Sequence, residues 1–396
     1  ISACLVGSEM CIRDRGIPAH VGGVERYVEE LAVRLAAFGH EVIVYTRPNY
    51  TPKELGSYKG VQLISLPSIG TKHLDAISHT LFASLDVLRR GVDVVHYQSI
   101  GPALLAWIPK LFGRRLKVVS TLQCRDYEHQ KWGAFARLML KLGERSMCRF
   151  SDELIVATKS IANHVKDKYG ITAPVIPNGA TIPTQESGVA ALSAWQLNKN
   201  GYILAVARLI KHKGLDYLVE AYGNLQTDKK LVIVGDGAFT DDYVAELKAR
   251  AAKNENIIFT GTQQGETLAA LFDNAYLFVH PSESEGLSLA LLEAMARGKA
   301  VVVSDIAENI EAIGKAGAAF SNKDVNDLTR VLNNLLADFD LSDRLGSAAR
   351  ERAKQLYDWE IISEKTAEVY LASLSARSLG AKLRNLLTQV SRIIPL

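Results

Sequence analysis

Two carboxylates, Glu285 and Glu293, stand eight residues apart in the run Pro281-Ser-Glu-Ser-Glu285-Gly-Leu-Ser-Leu-Ala-Leu-Leu-Glu293-Ala-Met-Ala. A strongly apolar strand, Tyr276 to Val279, precedes the run, and small and apolar residues open a helix within it. The first glutamate falls in a polar turn and the second on that helix. Amide groups at the start of a helix lack partners inside it and attract anions, phosphates especially. One carboxylate at the mouth and one about a turn inside would hold hydroxyls on both sides of a bound diphosphate. That is the chemistry of a nucleotide-sugar site. The same run also reads as a capped helix with one solvated and one core-edge glutamate, and taken alone it does not choose between the two.

Two more groups bear on the choice. In Ala207-Arg208-Leu-Ile-Lys211-His-Lys213-Gly214, Arg208 ends a buried strand and Lys213 precedes a helix. Two fixed cations there would neutralise a diphosphate leaving group without a metal. Exposed basic residues in a loop are the plainer alternative. In Arg15-Gly-Ile-Pro-Ala-His-Val-Gly22-Gly23-Val-Glu25, paired glycines before a helix let backbone approach a phosphate or sugar closely. Asp338-Phe-Asp340 spells a metal-binding Asp-x-Asp but lies between two helical patterns, where a capping role is expected. Gly235-Asp-Gly237 lacks the third glycine and acidic partner of a dinucleotide loop.

The elements that must position these groups alternate strand and helix along the chain. The first half runs from a helix after Gly23, through strands near Glu41–Thr46, Val61–Leu66, Asp93–His96, Lys117–Leu122 and Glu153–Ala157, to the turn Pro177-Asn178-Gly179. The second half runs from Tyr202–Ala207 to Ala300–Ser304, and helices follow from Asp324. Such alternation predicts parallel sheets covered on both faces, with ligands at the carboxyl ends of the strands in a cleft between two domains. We divide the chain at 16–183, a linker at 184–199 without periodicity, a second domain at 200–358, and C-terminal helices at 359–396.

Residues 1–15 are read as a non-native leader, because Ser8-Glu-Met-Cys-Ile-Arg-Asp-Arg15 makes a poor buried strand where one is needed.

At 396 residues with 48% apolar content, two cores are expected. A formal charge of +3 gives no case for nucleic acid as a partner. Cys4, Cys11, Cys124 and Cys148 have no metal spacing and read as reduced thiols of a cytoplasmic protein. Two segments are basic and amphipathic, Trp107–Lys117 and Ala376–Leu396, and either would suit an anionic membrane surface. Ordinary packed helices with solvated basic edges are the alternative for both.

Together, the Arg208/Lys213 pair, the Glu285/Glu293 run and the Gly22-Gly23 loop resemble glycosyltransferase family 4, retaining enzymes of the GT-B fold. Arg-Gly-Ile-Pro-Ala followed by Gly-Gly-Val-Glu resembles a bacterial subgroup that builds cell-surface polysaccharides. The resemblance implies two Rossmann-like α/β/α domains facing across a cleft, with C-terminal helices crossing back to the first. It implies transfer of a hexose or related sugar from a nucleoside diphosphate, UDP rather than GDP, to a saccharide or lipid-linked acceptor. No cofactor or metal is then required.

By the same resemblance, Arg208 and Lys213 bind the diphosphate, Glu285 the donor sugar and Glu293 the ribose. The amides of Gly286, Leu287, Ser288 and Leu289 meet the phosphates, and Gly22 and Gly23 close over the donor. His96 and Asp126 are carried as substrate contacts, with a core-facing histidine as the plainer reading of His96. Relatives often have histidines where this chain has Gln98 and Gln123. Glutamine cannot take a proton near neutral pH, so histidine assistance there does not carry over. A UDP-sugar epimerase of the same fold and a non-catalytic nucleotide-sugar-binding subunit are the rival readings.

Overall fold

Short runs of β-branched and aliphatic residues such as Leu231–Val234 and Ala300–Ser304 are too apolar for a half-solvated strand, and they are buried inside parallel sheets. The computed structural model describes residues 9–13, 16–19, 22–70, 74–113, 115–128, 133–237 and 240–375. It divides into two units, 1–177 with 359–396, and 178–358.

In the first unit the strands are β1 (Glu9–Arg13), β2 (Glu41–Thr46), β3 (Ser57–Tyr58), β4 (Val61–Ser65), β5 (Val94–Gln98), β6 (Lys117–Leu122) and β7 (Glu153–Val156). They lie in the order β3-β4-β2-β1-β5-β6-β7, parallel except for the β3–β4 hairpin. The helices are α1 (Gly23–Ala37), α2 (Asp75–Arg90), α3 (Ile100–Ala103), α4 (Trp107–Phe112), α5 (Ala134–Phe150) and α6 (Lys159–Tyr169). Alternation along β5 decides what each face receives. Val95 and Tyr97 pack with Val87 of α2, Ile100 of α3 and Met147 of α5. His96 points the other way, to Tyr370.

That other face holds α1 and the helix over 359–375, which returns to this unit as expected. Tyr27 and Trp359 meet edge to face at 5.5 Å, and Arg34 Nε donates to Glu360 at 2.9 Å.

The stretch read as a leader supplies β1. Its backbone pairs with both neighbours, Met10 opposite Val42 and Val94. Without it β2 and β5 would each leave a row of peptide groups unpaired inside the sheet, a cost larger than that of an unfavourable composition. Residues 1–8 and 14–15 lie outside the described residues, as does the basic segment 376–396.

The second unit has β8 (Tyr202–Val206), β9 (Lys230–Val234), β10 (Ile257–Gly261), β11 (Leu277–His280), β12 (Ala300–Ser304) and β13 (Ala318–Phe320), all parallel, in the order β10-β9-β8-β11-β12-β13. Around them lie α7 (Leu215–Gly223), α8 (Asp241–Ala251), α9 (Gly265–Asp273), α10 (Leu289–Ala296), α11 (Ala307–Ile313), α12 (Val325–Ala337) and α13 (Phe339–Leu356). The expected linker at 184–199 is instead part of this unit. Its lack of helical period reflects a tight 3-10 turn, Val189–Trp195, and Leu192 and Leu197 sit in the core with Ala180. Asp338 caps α13, accepting from the Leu341 amide at 2.8 Å, which settles Asp-x-Asp as a helix signal. Among the described residues no helix is long and apolar enough to cross a membrane.

Candidate active site

Strands β8 and β11 are neighbours, yet the chain leaves them in opposite directions, toward β9 and β10 on one side and β12 and β13 on the other. At such a reversal the loops above the carboxyl ends part, and doubly wound sheets bind their ligands there. The loop after β8 carries Arg208 and Lys213, and the loop after β11 carries Glu285. These residues therefore share one end of one sheet.

Glycine makes the loops fit. Gly214 has φ +65°, and a Cβ there would come within 2.1 Å of the Pro281 carbonyl oxygen. At Gly235, with φ +133°, a Cβ would lie 2.0 Å from the carbonyl of Ala207. The Glu283 amide then donates to the His212 carbonyl at 2.8 Å, which ties the two loops together.

On this frame the Lys213 ammonium pairs directly with Glu285 Oε1. His280 Nε2 lies 3.0 Å from the same oxygen. Both side chains of the pair are nearly enclosed, Lys213 with 13% and Glu285 with 11% of its side chain exposed. Burial by itself would raise the Glu285 carboxyl. The opposing charge of Lys213 and the contact with His280 outweigh it and hold the group well below the usual carboxylate range. Arg208 is exposed on the same loop and has no ionic partner among the described residues. The site thus combines a cation with no ionic partner among the described residues, Arg208, with one shared by a buried carboxylate, Lys213.

The loop after β11 is braced from several sides. Glu283 accepts from Tyr217 Oη at 2.8 Å and pairs with Lys323 at 3.0 Å. Ser304 Oγ donates to the Ser282 carbonyl at 2.5 Å, and Asn309 Nδ2 donates to Ser304 Oγ at 3.0 Å. Buried Asn178 donates from Nδ2 to the Leu287 carbonyl at 2.7 Å. Ser288 caps α10, its hydroxyl accepting from the Leu291 amide. The amides just before Leu291 are the ones a helix leaves without internal partners. Glu293 is half-buried on α10, one turn inside.

Sequence reasoning missed His280 and Asn178. The first hides as the last residue of a buried strand. The second hides in a turn signal 109 residues from its partner.

The expected residues of the first unit fall into three situations. Gly22 is the N-cap of α1 at φ +120° and Gly23 its first residue; the Glu25 carboxylate lies so close over Gly22 that a Cβ there would meet it at 2.1 Å. Asp126 is half-buried in a 3-10 turn and accepts from Cys124 Sγ at 3.2 Å. His96 is fully enclosed. Its Nδ1 lies 2.6 Å from Tyr370 Oη and its Nε2 2.7 Å from Thr121 Oγ1, so both ring nitrogens are committed inside the unit. Burial pushes its pKa down to about 3, so the ring is uncharged at neutral pH, with a proton on only one of its nitrogens. The plainer reading of His96, a core histidine, describes this environment. Gln98 and Gln123 are buried beside it, Gln123 Nε2 donating to Gln98 Oε1 at 3.4 Å, while Gln123 Oε1 has no hydrogen-bond partner among the described residues.

Known proteins resemble this chain in sequence and in fold. The family described as Glycosyltransferase Family 4 matches residues 21–182, and Glycosyl transferases group 1 matches residues 193–352. Sulfoquinovosyl transferase SQD2 of Arabidopsis thaliana is 33% identical over 388 residues, covering 90% of this chain and 72% of that one. A glycogen synthase of Mycobacterium tuberculosis is 27% identical over 399 residues, covering 90% of this chain and 92% of that one. Among solved structures, the sucrose-phosphate synthase of Thermosynechococcus elongatus superposes with a TM-score of 0.80 at 21% identity, over 93% of this chain and 100% of that chain. Anabaena HepE in complex with UDP and glucose superposes with a TM-score of 0.78 at 18% identity, over 92% of this chain and 100% of that chain.

Proposed function

Because the chain belongs to the group 1 and family 4 glycosyltransferases and has their GT-B fold, we propose that it transfers a hexose with retention from a UDP-sugar to a saccharide or lipid-linked acceptor, in cell-surface polysaccharide synthesis at the cytoplasmic face of a membrane. The observation that carries this reading is the enclosed Lys213–Glu285 pair, with Arg208 on the same loop as Lys213, at the reversal of a parallel sheet and just ahead of α10. It is an anion site with a hydroxyl-binding carboxylate built into it.

The donor diphosphate lies against Arg208, Lys213 and the amides from Gly286 to Leu289. As the bond from the sugar's anomeric carbon to the phosphate oxygen breaks, negative charge collects on that oxygen, and the two cations stabilise it in place of a metal. Lys213 is then shared between phosphate and Glu285, which accepts hydrogen bonds from sugar hydroxyls. Glu293 accepts from the ribose. The acceptor hydroxyl attacks on the face the leaving group departs from, and its proton passes to the departing phosphate oxygen. No side-chain nucleophile is needed. Acceptor recognition is assigned to the first unit, with Asp126 as its candidate contact. A UDP-bound relative of the same fold supports the choice of donor base.

The test is incubation with UDP- and GDP-sugars, with and without oligosaccharide acceptors. The expected result is UDP release that accelerates with acceptor and a product with the donor's anomeric configuration. Glu285→Ala and Lys213→Ala should each lose about two orders of magnitude in rate, roughly 3 kcal/mol of barrier. Interconversion of donor sugars without acceptor would instead make the protein an epimerase.

A further inference from the structure

Apolar side chains left in water usually occur singly, but here they concentrate on one face of the first unit. The chain passes from β4 to β5, β5 to β6 and β6 to β7 in one direction across the sheet. Right-handed crossovers therefore place α2, α4 and α5 on the same side. Helix α4 packs beside both of the others. On α5, Phe135, Leu138 and Leu142 line one edge and are 75%, 52% and 41% exposed. Leu111 and Phe112 continue the patch on α4, and Leu81, Phe82 and Leu85 continue it on α2.

A charged row accompanies the apolar one. Arg137, Lys141 and Arg145 follow at four-residue spacing on α5, all exposed. The helix's one acid, Glu144, is wholly buried and accepts from Lys168 at 2.8 Å and Tyr169 at 2.7 Å. Outward, α5 presents apolar and positive groups and no acid. A second copy docked face to face would set like-charged rows against each other. The segment 376–396, with Arg377, Lys382, Arg384 and Arg392 and no acid, would do the same. A sheet of anionic headgroups over acyl chains complements both rows at once.

We propose that the α2–α4–α5 face of the first unit docks on an anionic membrane, with Phe135, Leu138 and Leu142 entering the boundary between headgroups and acyl chains and the basic row meeting lipid phosphates. This gives the membrane contact of the proposed function a specific surface. It uses no donor-site residue, so its failure leaves the transfer reading standing, and the reverse also holds.

The test is co-sedimentation of the full chain with phosphatidylcholine vesicles made with and without phosphatidylglycerol. Binding is expected with the anionic lipid alone and should weaken with salt. R137E/K141E should weaken it roughly tenfold or more. F135S/L142S should weaken it as well, and both variants should melt as the parent does because the residues are exposed. Equal binding to both vesicle types, or none to either, overturns the proposal. So does binding that survives R137E/K141E but is lost in R384E/R392E, which would assign it to the C-terminal segment. If F135S/L142S turns a dimer into a monomer and leaves vesicle binding intact, the face joins copies of the chain instead.

Discussion

Lys213→Met should destabilise the second unit far more than loss of a surface ion pair would. Exposed pairs contribute about 0–1 kcal/mol. Lys213 and Glu285 are nearly enclosed, and stranding one member of a buried pair costs roughly 3–5 kcal/mol. Glu285 keeps 11% of its side chain exposed to water, so the lower figure of about 3 kcal/mol applies. For a unit of this size that is a fall in Tm of roughly 6–12 °C.

The dependence on pH has a definite sign. In the parent the folded-state pKa of Glu285 is depressed, so its stabilisation is present above the unfolded value near 4.3 and is lost as pH falls through the folded one. In Lys213→Met burial raises the carboxyl, and the penalty appears as pH rises above about 4.3. The two proteins should therefore differ most at neutral pH and converge in acid. Lys213→Met/Glu285→Gln should recover much of the loss, because no buried charge is left. The assay is thermal and urea unfolding of all three proteins between acid and neutral pH. A single variant that melts like the parent at pH 7 would refute the reasoning, since Glu285 would then have to be hydrated.

Two further perturbations follow from the same geometry. Asn178→Ala removes the hydrogen bond to the Leu287 carbonyl and should cost about 1 kcal/mol of stability while raising KM for the donor more than it lowers kcat; equal KM in the variant would show that the loop needs no such brace. His96 is held neutral with a pKa near 3, so the unfolded chain binds a proton the folded one refuses; stability should fall by up to about 1.4 kcal/mol per pH unit on acidification below about 6.5, and His96→Gln should flatten that slope as measured by urea titrations.

The alternating architecture was legible because buried parallel strands such as Leu231–Val234 and Ala300–Ser304 are unbroken apolar runs. β1 was not, since backbone pairing between β2 and β5 holds it in place whatever its composition. Arg208, Lys213 and Glu285 stood out by type and spacing, but the pairing of Lys213 with Glu285 did not. Lys213 and Glu285 are 72 residues apart, and only the order β8-β11 in the sheet brings them together. His96 shows the same dependence on distant chain. A histidine at a strand end suggests a substrate contact until a tyrosine 274 residues later closes over it. Local pattern reports elements well, whereas the state of a polar group depends on distant chain that pattern does not see.

A diphosphate site made by Arg208, Lys213 and the start of α10 has to distinguish a nucleotide from its nucleoside. Calorimetric titration of UDP and of uridine into the parent protein and into Arg208→Ala tests it most directly. The parent should bind UDP much more tightly than uridine, and Arg208→Ala should weaken UDP by roughly ten- to a hundredfold while leaving uridine unchanged. Equal affinity of the parent for both ligands, or unchanged UDP binding in the variant, would contradict it.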